Sequence, residues 1–496
     1  MTVFAPLQRS ILPLDALPLS AMADFGPALT ERVREGMRLS ALFAVPRAEG
    51  FLLLALLSGE DALLLAGATE TDGSYPSLTP ALPQAHAFER EMAETWGLRP
   101  EGHPWLKPLR FCPPRNLRGG KERPLAGEAD FYRVEGAEIH EVAVGPIHAG
   151  VIEPGHFRFQ CHGEEVLHLE ISLGYQHRGV ERALVGGPDR RTMAYMETLA
   201  GDSTIAHGTA YALVAEALSD QDPSPGARRL RSAALELERM ANHVGDLGAL
   251  AGDVGFLPTS AYCGRLRGDL LNLTALLCGN RFGRGLVRQG GVVPLLSSQR
   301  RETLLMRLRA IVADVESAVG LLWEAPSVLA RFEGVGALSA PTARDLGLVG
   351  PAARACAVSS DLRTRRPWDA FVEFPVPEAL WTTGDVMGRA RVRALEFSRS
   401  ADFVERVLAE EIETAPPASS APLKADHLGV SLVEGWRGEV CHAALTDGRG
   451  RLAQYKVVDP SFHNWQGLAM AMRGQAISDF PVCNKSFGLS YCGHDL

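Results

Sequence analysis

The chain has 496 residues, 46% hydrophobic and 22% charged, with a formal net charge of −9 at pH 7. That length admits two or three domains and a large core. The negative balance argues against a nucleic-acid partner, because a phosphate footprint needs clustered Lys and Arg, and Arg363-Thr364-Arg365-Arg366 is too short to supply one. No window reaches the roughly 18 to 20 apolar residues of a membrane span. Met1 to Pro6 lacks the basic start and apolar block of a secretion signal. Membrane association is therefore expected only through partner chains. None of the eight cysteines (Cys112, Cys161, Cys263, Cys278, Cys356, Cys441, Cys483, Cys492) forms a Cys-x-x-Cys pair. They read as reduced thiols packed as small hydrophobes, without zinc or iron–sulfur spacing.

In chain order, Phe25 to Arg38 spaces Leu29, Val33 and Met37 along one helix face. Phe51 to Leu57 and Ala62 to Ala66 flank Ser58-Gly59-Glu60-Asp61 as a hairpin. Phe88 to Leu98 reads as an amphipathic helix with a glycine stop, followed by Gly102-His103-Pro104. Arg110 to Asp130, rich in Pro, Gly and charge, reads as a connector. Gly145-Pro146-Ile147-His148-Ala149-Gly150 is turn chemistry, and strands are expected at Val151 to Gln160 and Glu164 to Leu173. Arg191 to Ala217 is predicted as one central helix carrying Asp202, Ser203 and His207. Ser224-Pro225 supplies a cap and first-turn proline for the next helix, which repeats Leu230, Leu237, Met240, Val244 and Leu247. Leu304 to Leu322 and Val386 to Ile412 give further long helices. After the loop Ala415 to Pro422, Gly429 to Val433, Glu439 to Thr446 and Leu452 to Val457 form an antiparallel meander, turned at Asp447-Gly448-Arg449-Gly450. Gln466 to Gly474 closes as a helix, with an irregular tail to Leu496.

Four stretches carry a family pattern. They are Gly145-Pro146-Ile147-His148 with Glu153-Pro154-Gly155-His156-Phe157-Arg158, Gly174-Tyr175-Gln176-His177-Arg178-Gly179-Val180-Glu181, Ala200 to His207, and Val458-Asp459-Pro460-Ser461-Phe462-His463-Asn464-Trp465. With them the chain resembles the large-subunit superfamily shared by nickel–iron hydrogenases and the quinone-site, 49-kDa-type subunit of respiratory complex I. The helix from Phe88 with its Gly-His-Pro resembles the 30-kDa-type complex I subunit, here fused. The ending Asp479 to Phe487 looks like nickel-free members of hydrogenase-4-type complexes. The fold this implies is α+β: a small N-terminal α/β docking domain (1–115), a linker (116–130), and a hydrogenase-large-subunit-like helical bundle with peripheral antiparallel strands at both ends (131–496).

In the hydrogenases two Cys-x-x-Cys pairs hold the metal; here the matching positions are Ala200, Ser203, Ser461 and Asn464. Nickel–iron sites need soft, deprotonated sulfur, so no metal is expected. What the resemblance leaves is a polar set. Glu153, His156, Asp202 and Asp459 are the candidate catalytic and proton-handling residues, since a carboxylate beside an imidazole suits proton relay near neutral pH. His156, Tyr195, His207 and Arg389 are the candidates for contact with a bound quinone. The second quinone contact of complex I, a tyrosine, falls here on Gly201, with Tyr195 six residues earlier.

The resemblance implies a subunit of a membrane-anchored oxidoreductase on the cytoplasmic face of the inner membrane. Its partners would be an iron–sulfur small subunit of the complex I kind, a ferredoxin-like iron–sulfur subunit, and membrane proton-translocating subunits. Electrons from the partners' iron–sulfur clusters would pass to a quinone or another small acceptor, or drive proton translocation. NAD binding is implied only by family, and the donor stays open between NADH, formate and ferredoxin. The alternative is a redox-silent scaffold transmitting conformational change between an iron–sulfur subunit and the membrane arm.

Overall fold

The computed structural model describes residues 3–7, 10–59, 64–115, 130–148, 152–293, 296–413, 416–417 and 421–496. Glu60, Asp61, Ala62 and Leu63 of the expected hairpin lie outside the described residues. So do most of the connector (116–129), Ala149 to Val151, and Ala415 with Ala418 to Ser420 of the late loop. The architecture is α+β.

The N-terminal part forms a five-stranded sheet. Strands β1 (Ala5–Pro6), β4 (Arg38–Pro46), β5 (Phe51–Ser58) and β6 (Leu64–Thr71) run in the order β1-β6-β5-β4, and β3 (Leu19–Ser20) joins β6 in parallel. The expected hairpin is β5 against β6, paired from Phe51↔Thr71 to Ser58↔Leu64. Its apolar run, Leu52 to Leu57, is buried on both faces. Helix α1 covers Met22–Arg34, starting and ending several residues before the predicted span, and α2 covers His86–Trp96. Gly97 closes α2 at φ 73°, a left-handed cap that glycine reaches without strain. Strand β2 (Ile11–Pro13) leaves this sheet altogether and pairs with the C-terminal one. The short strands β7 (Ser74–Pro76) and β8 (Arg99–Glu101) pair in parallel.

Next come β9 (Ile139–Val144), β10 (His156–His162) and β11 (Glu165–Ser172), an antiparallel sheet of order β11-β10-β9. The predicted strand before Cys161 thus begins only at His156, and Glu153-Pro154-Gly155 is loop. The predicted central helix is broken. Helices α3 (Val180–Ala183) and α4 (Thr192–Met196) are short, and the long one, α5 (Thr204–Ser219), starts after Asp202 and Ser203. The reason is local: the Asp202 carbonyl accepts from Asn242 Nδ2 (2.9 Å) and Trp436 Nε1 (3.0 Å), so it is not available to a helix running through it.

The bundle proper packs α6 (Pro225–Asp253), α7 (Leu257–Cys278), α8 (Ser298–Glu324) and α13 (Val386–Ala409) around one apolar cluster. Ser224 Oγ accepts from Ala227 N as the predicted cap of α6. Helix α7 was not anticipated from the sequence. The two-residue strands β12 (Val287–Arg288) and β13 (Gly291–Val292) pair between α7 and α8. Four short helices, α9 (Pro326–Phe332), α10 (Ala340–Asp345), α11 (Gly350–Arg354) and α12 (Leu362–Arg365), link α8 to α13.

The meander is β14 (His427–Gly435), β15 (Gly438–Thr446) and β16 (Leu452–Val458), extended by β2 in the order β16-β15-β14-β2. Helix α5 lies on it with nearly every residue buried. Helix α14 runs Pro460–Ala471, earlier than predicted, because Asp459 accepts from Ser461 N and sets its start. The tail expected to be irregular is helical and buried: α15 (Phe480–Phe487) and α16 (Tyr491–Asp495). One core joins the N-terminal sheet to the meander, since Leu54, Phe88, Leu428, Val430 and Phe462 share a cluster. No described helix is long and apolar enough to cross a membrane.

Candidate functional site

Two of the predicted residues sit at helix starts that face the same short tail. Asp459 stands before α14 and Asp202 before α5. Between them and the loop before β10 runs the segment from Ser490 to Asp495. Its backbone is held from three sides: Ser490 N donates to Ser461 Oγ (2.9 Å), Tyr491 N to Glu153 Oε2 (3.3 Å), and Gly493 packs on Asp459. A Cβ on Gly493 would lie 2.6 Å from Asp459 Oδ2, so only glycine fits there.

The motif from Gly174 to Glu181 clamps the same segment. Asp495 accepts from Gly174 N (2.7 Å) and Gln176 N (2.9 Å), His177 Nδ1 donates to Asp495 O (2.7 Å), and the Leu496 carbonyl accepts from Arg178 N and Gly179 N (both 3.0 Å).

Asp459 anchors a line of buried side chains. Its Oδ2 lies 3.1 Å from His207 Nε2; His207 Nδ1 lies 3.0 Å from His442 Nε2; His442 Nδ1 lies 2.9 Å from the Tyr455 hydroxyl. All four are at most 1% exposed. Burial alone would raise the Asp459 carboxyl, yet His207, Arg437 and the Ser461 hydroxyl outweigh it and hold it below the usual carboxylate range. Burial keeps the His442 ring neutral and the Tyr455 hydroxyl protonated. An ionised Asp459 makes His207 Nε2 a donor. Two proton patterns then satisfy every bond. With His207 neutral, Tyr455 donates to His442 and His442 to His207; with His207 cationic, both of those bonds reverse.

Asp202 is held apart from this line by Arg437, whose Nη1 and Nη2 lie 2.5 and 2.8 Å from its two carboxylate oxygens. Arg437 is 7% exposed and stacks over Trp436 at 3.8 Å. Beneath Asp202, Glu238 accepts from Ile205 N (2.7 Å) and Ala206 N (3.2 Å), capping α5 from a neighbouring helix. Burial pushes this carboxyl up to about 8 despite those two donors.

His156 donates from Nδ1 to Gly145 O (3.0 Å), with its ring 5.3 Å from Phe131, and its Nε2 is enclosed without a partner. Tyr195 packs against the apolar cluster that contains Val180, Leu184 and Leu423, to which His156 does not belong. Arg389 is fully committed to protein atoms: Ser486 Oγ (2.7 Å), Gly384 O (2.7 Å) and Gly336 O (3.1 Å).

The four positions expected to match the hydrogenase ligands carry no thiol. Ala200 is buried. Ser203 precedes α5 and takes a weak bond from Arg437 (3.4 Å). Ser461 Oγ is used by Ser490 N, and the Asn464 amide is used at both ends by the Val349 backbone, at 3.0 and 3.1 Å. A hydroxyl and an amide bound to backbone lack the soft anionic sulfur such a metal needs. Cys492 is the thiol nearest this region, against Glu153 and the Gly201 N–H; burial and then Glu153 push it up to about 11, so it stays a thiol at neutral pH. Among the described residues no group of three or more His, Cys, Asp or Glu could hold a metal ion.

Sequence reasoning did not single out His442, Tyr455, Arg437 or Glu238 as site residues. A polar residue such as His442 on an apolar strand was the one available signal.

The fold is an α+β chain in which an N-terminal sheet shares one core with the C-terminal meander and a polar centre lies at two helix starts. Residues 253–427 match the family described as "Respiratory-chain NADH dehydrogenase, 49 Kd subunit", and residues 29–127 match its "30 Kd subunit". The chain is 28% identical to the carbon monoxide-induced hydrogenase of Rhodospirillum rubrum, over 70% of its own length and 96% of that protein's. It is equally similar, at 28%, to hydrogenase-4 component G of Escherichia coli (84% and 75%) and to NADH-quinone oxidoreductase subunit 4 of Thermus thermophilus (72% and 94%). The chain belongs to the superfamily that joins the 49-kDa-type complex I subunit to the hydrogenase-4-type large subunits, with a 30-kDa-type region fused ahead of it.

Proposed function

We propose that this chain is a nickel-free, proton-handling subunit of a membrane-anchored respiratory-type oxidoreductase, on the cytoplasmic face. Iron–sulfur clusters in partner chains deliver the electrons, and a quinone or another small acceptor takes them up. Glu153 stands beside the polar centre, accepting from Tyr491 N, and His156 lies three residues on at the start of β10.

The observation that carries this reading is the unbroken line Tyr455–His442–His207–Asp459. A proton arriving at the Tyr455 oxygen lets its own O–H proton pass to His442 Nδ1. His442 then releases its Nε2 proton to His207 Nδ1. One proton enters at Tyr455 and one positive charge appears on His207, facing the Asp459 carboxylate. Every bond broken is matched by one formed, and no ring is left doubly deprotonated. Soft metal ligands are replaced in this reading by hydrogen-bonding ones, so the centre moves protons rather than splitting hydrogen.

The test is the purified complex carrying Asp459→Asn or His442→Leu. Asn keeps the cap on α14, so the fold stays while the anionic end of the line is lost. Expected are proton uptake and acceptor reduction down by about 10²-fold or more, with reduction of the partner clusters unchanged. Wild-type rates in both variants, or stoichiometric nickel in the purified complex, would sink the reading.

A second reading, a redox-silent scaffold, is favoured by one feature: a buried ion network ties α6, α13 and β14 together, with Glu396 against Arg239 (3.2 Å) and Arg354 (2.7 Å). Coupled membrane-arm changes in a complex whose relay variants keep full activity would select it.

A further inference from the structure

Between the fused N-terminal part and the large-subunit part lies a cavity of about 540 Å³, lined from α2, residues 103–109, Tyr132, β11 and α14. No member of the proton line reaches it. Its size falls within the range of small-molecule sites, roughly 300–1,000 Å³. Two polar groups of α2, His86 and Arg90, stand on its wall. Four residues apart on a helix, they are neighbours on one face. Arg90 donates from Nε to Lys107 O (3.0 Å) and from Nη2 to Pro108 O (2.9 Å), both carbonyls. Its Nη1 has no partner among the described residues and is not an enclosed atom, so it is open to an occupant. The same holds for the His86 ring nitrogens: only the His86 carbonyl is used, by His103 Nε2 (3.3 Å).

Burial, then Arg90 and His103, hold His86 down to about 3, so its ring is neutral at pH 7 and keeps one N–H to give. Burial lowers Arg90 only to about 10, with Glu170 and Glu94 opposing, so it stays a cation. The carboxylate on this wall, Glu170, is already taken by Lys107, by Trp105 Nε1 (3.4 Å) and by Tyr132 N (2.9 Å). The unused polar capacity beside α2 is therefore a guanidinium N–H next to an imidazole N–H. Much of the remaining wall is aromatic. Trp105 and Tyr132 meet edge to face at 5.9 Å, and Tyr132 lies 4.7 Å from the His168 ring. Trp105 is 41% and Tyr132 46% exposed, an apolar face that the fold leaves uncovered.

We propose that this cavity binds a small aromatic carboxylate, its anion held by Arg90 Nη1 and the His86 ring N–H, its ring against Trp105 and Tyr132. A short aliphatic acid would leave the aromatic faces bare. A neutral aromatic would forgo the charge-assisted bond to Arg90, and a cation would meet that guanidinium directly. Because α2 belongs to the N-terminal part and β11 to the large-subunit part, the occupant also bridges the two.

The test is calorimetric titration of the full chain with benzoate and 2-naphthoate, and with acetate and benzyl alcohol as the two part-ligands. At least one aromatic acid should bind about tenfold or more tightly than either part-ligand. Arg90→Gln should weaken that binding by about tenfold or more. Where loss of the bonds to Lys107 and Pro108 unfolds that variant, Tyr132→Ala decides: its side chain is exposed, so the fold stays, and binding should weaken by about fivefold. No binding by either aromatic acid, a part-ligand that binds as tightly, or unchanged affinity in a folded Arg90→Gln or in Tyr132→Ala overturns the proposal.

Discussion

Asp459 does three things with two oxygens: it caps α14, receives His207, and leaves no room for a Cβ on Gly493. Glu238 is its counterpart under α5, a carboxyl from another helix that takes the place of a local cap. Because burial lifts Glu238 to about 8, it is mainly neutral at pH 7. The folded chain then holds a proton that the unfolded chain has released above about 4.5, so this residue subtracts stability as pH rises through that window. Infrared spectra at pH 7 should show a carboxylic C=O band that vanishes in Glu238→Gln and titrates away near 8. A wild-type band absent at pH 7 would mean the two N–H donors prevail. That Ser461 and Asn464 carry a hydroxyl and an amide was legible from sequence, because side-chain chemistry is local. Their new partners, the Ser490 and Val349 backbones, were not, because both come from distant parts of the chain.

At the scale of elements, the long helices are held in register by charge as well as by apolar packing. Arg239 and Glu236 on α6, Glu396 on α13, Glu434 on β14, and Arg354, Asp361 and Arg363 from the short helices and the turn before α12 form one buried network. Three guanidiniums face four carboxyls, and the surplus appears at Glu434, which burial pushes up to about 7 against the pull of Arg354. Glu396 is the hub, shared by Arg239, Arg354 and His243. Glu396→Gln leaves buried guanidiniums underpaired and should cost about 3–5 kcal/mol, read from denaturant unfolding. A loss below about 1 kcal/mol would show that the arginines re-pair among the remaining carboxylates. The long helices of this network were predicted from apolar spacing and caps, which depend on neighbours three or four residues away. The break before α5 escaped that reasoning, since Asn242 and Trp436 cause it.

Across the whole molecule, the fused N-terminal part and the large-subunit part meet through a buried cluster of charge. Lys456 on β16 lies 2.6 Å from Glu91 on α2 and 3.1 Å from Glu181, and Arg110 pairs with Glu91 as well. Burial opposes the ionised Glu91, but Lys456 and Arg110 win and hold it at about 2. Its stabilisation is complete above about 4.5, the unshifted value, and is lost as pH falls toward 2. Hydrogen exchange should therefore rise together in α2 and β16 as the solution is acidified across that range, and should do so at neutral pH in Glu91→Gln. Exchange that rises in one element alone would mean the seam opens independently of this cluster. Strand β2 adds a second tie, because it starts in the N-terminal part and finishes the C-terminal sheet.

The sequence by itself determined the superfamily motifs, most long helices, the N-terminal hairpin and the meander, all of which rest on residue chemistry or on short-range spacing. It did not reveal which polar residues meet. His207 and His442 are 235 positions apart and Asp202 and Arg437 are likewise 235 apart, and nothing in local pattern encodes such a pairing. Only the packing of α5 on the meander, with the last helix folded in beside Asp459, turns separate side chains into a line along which a proton can pass.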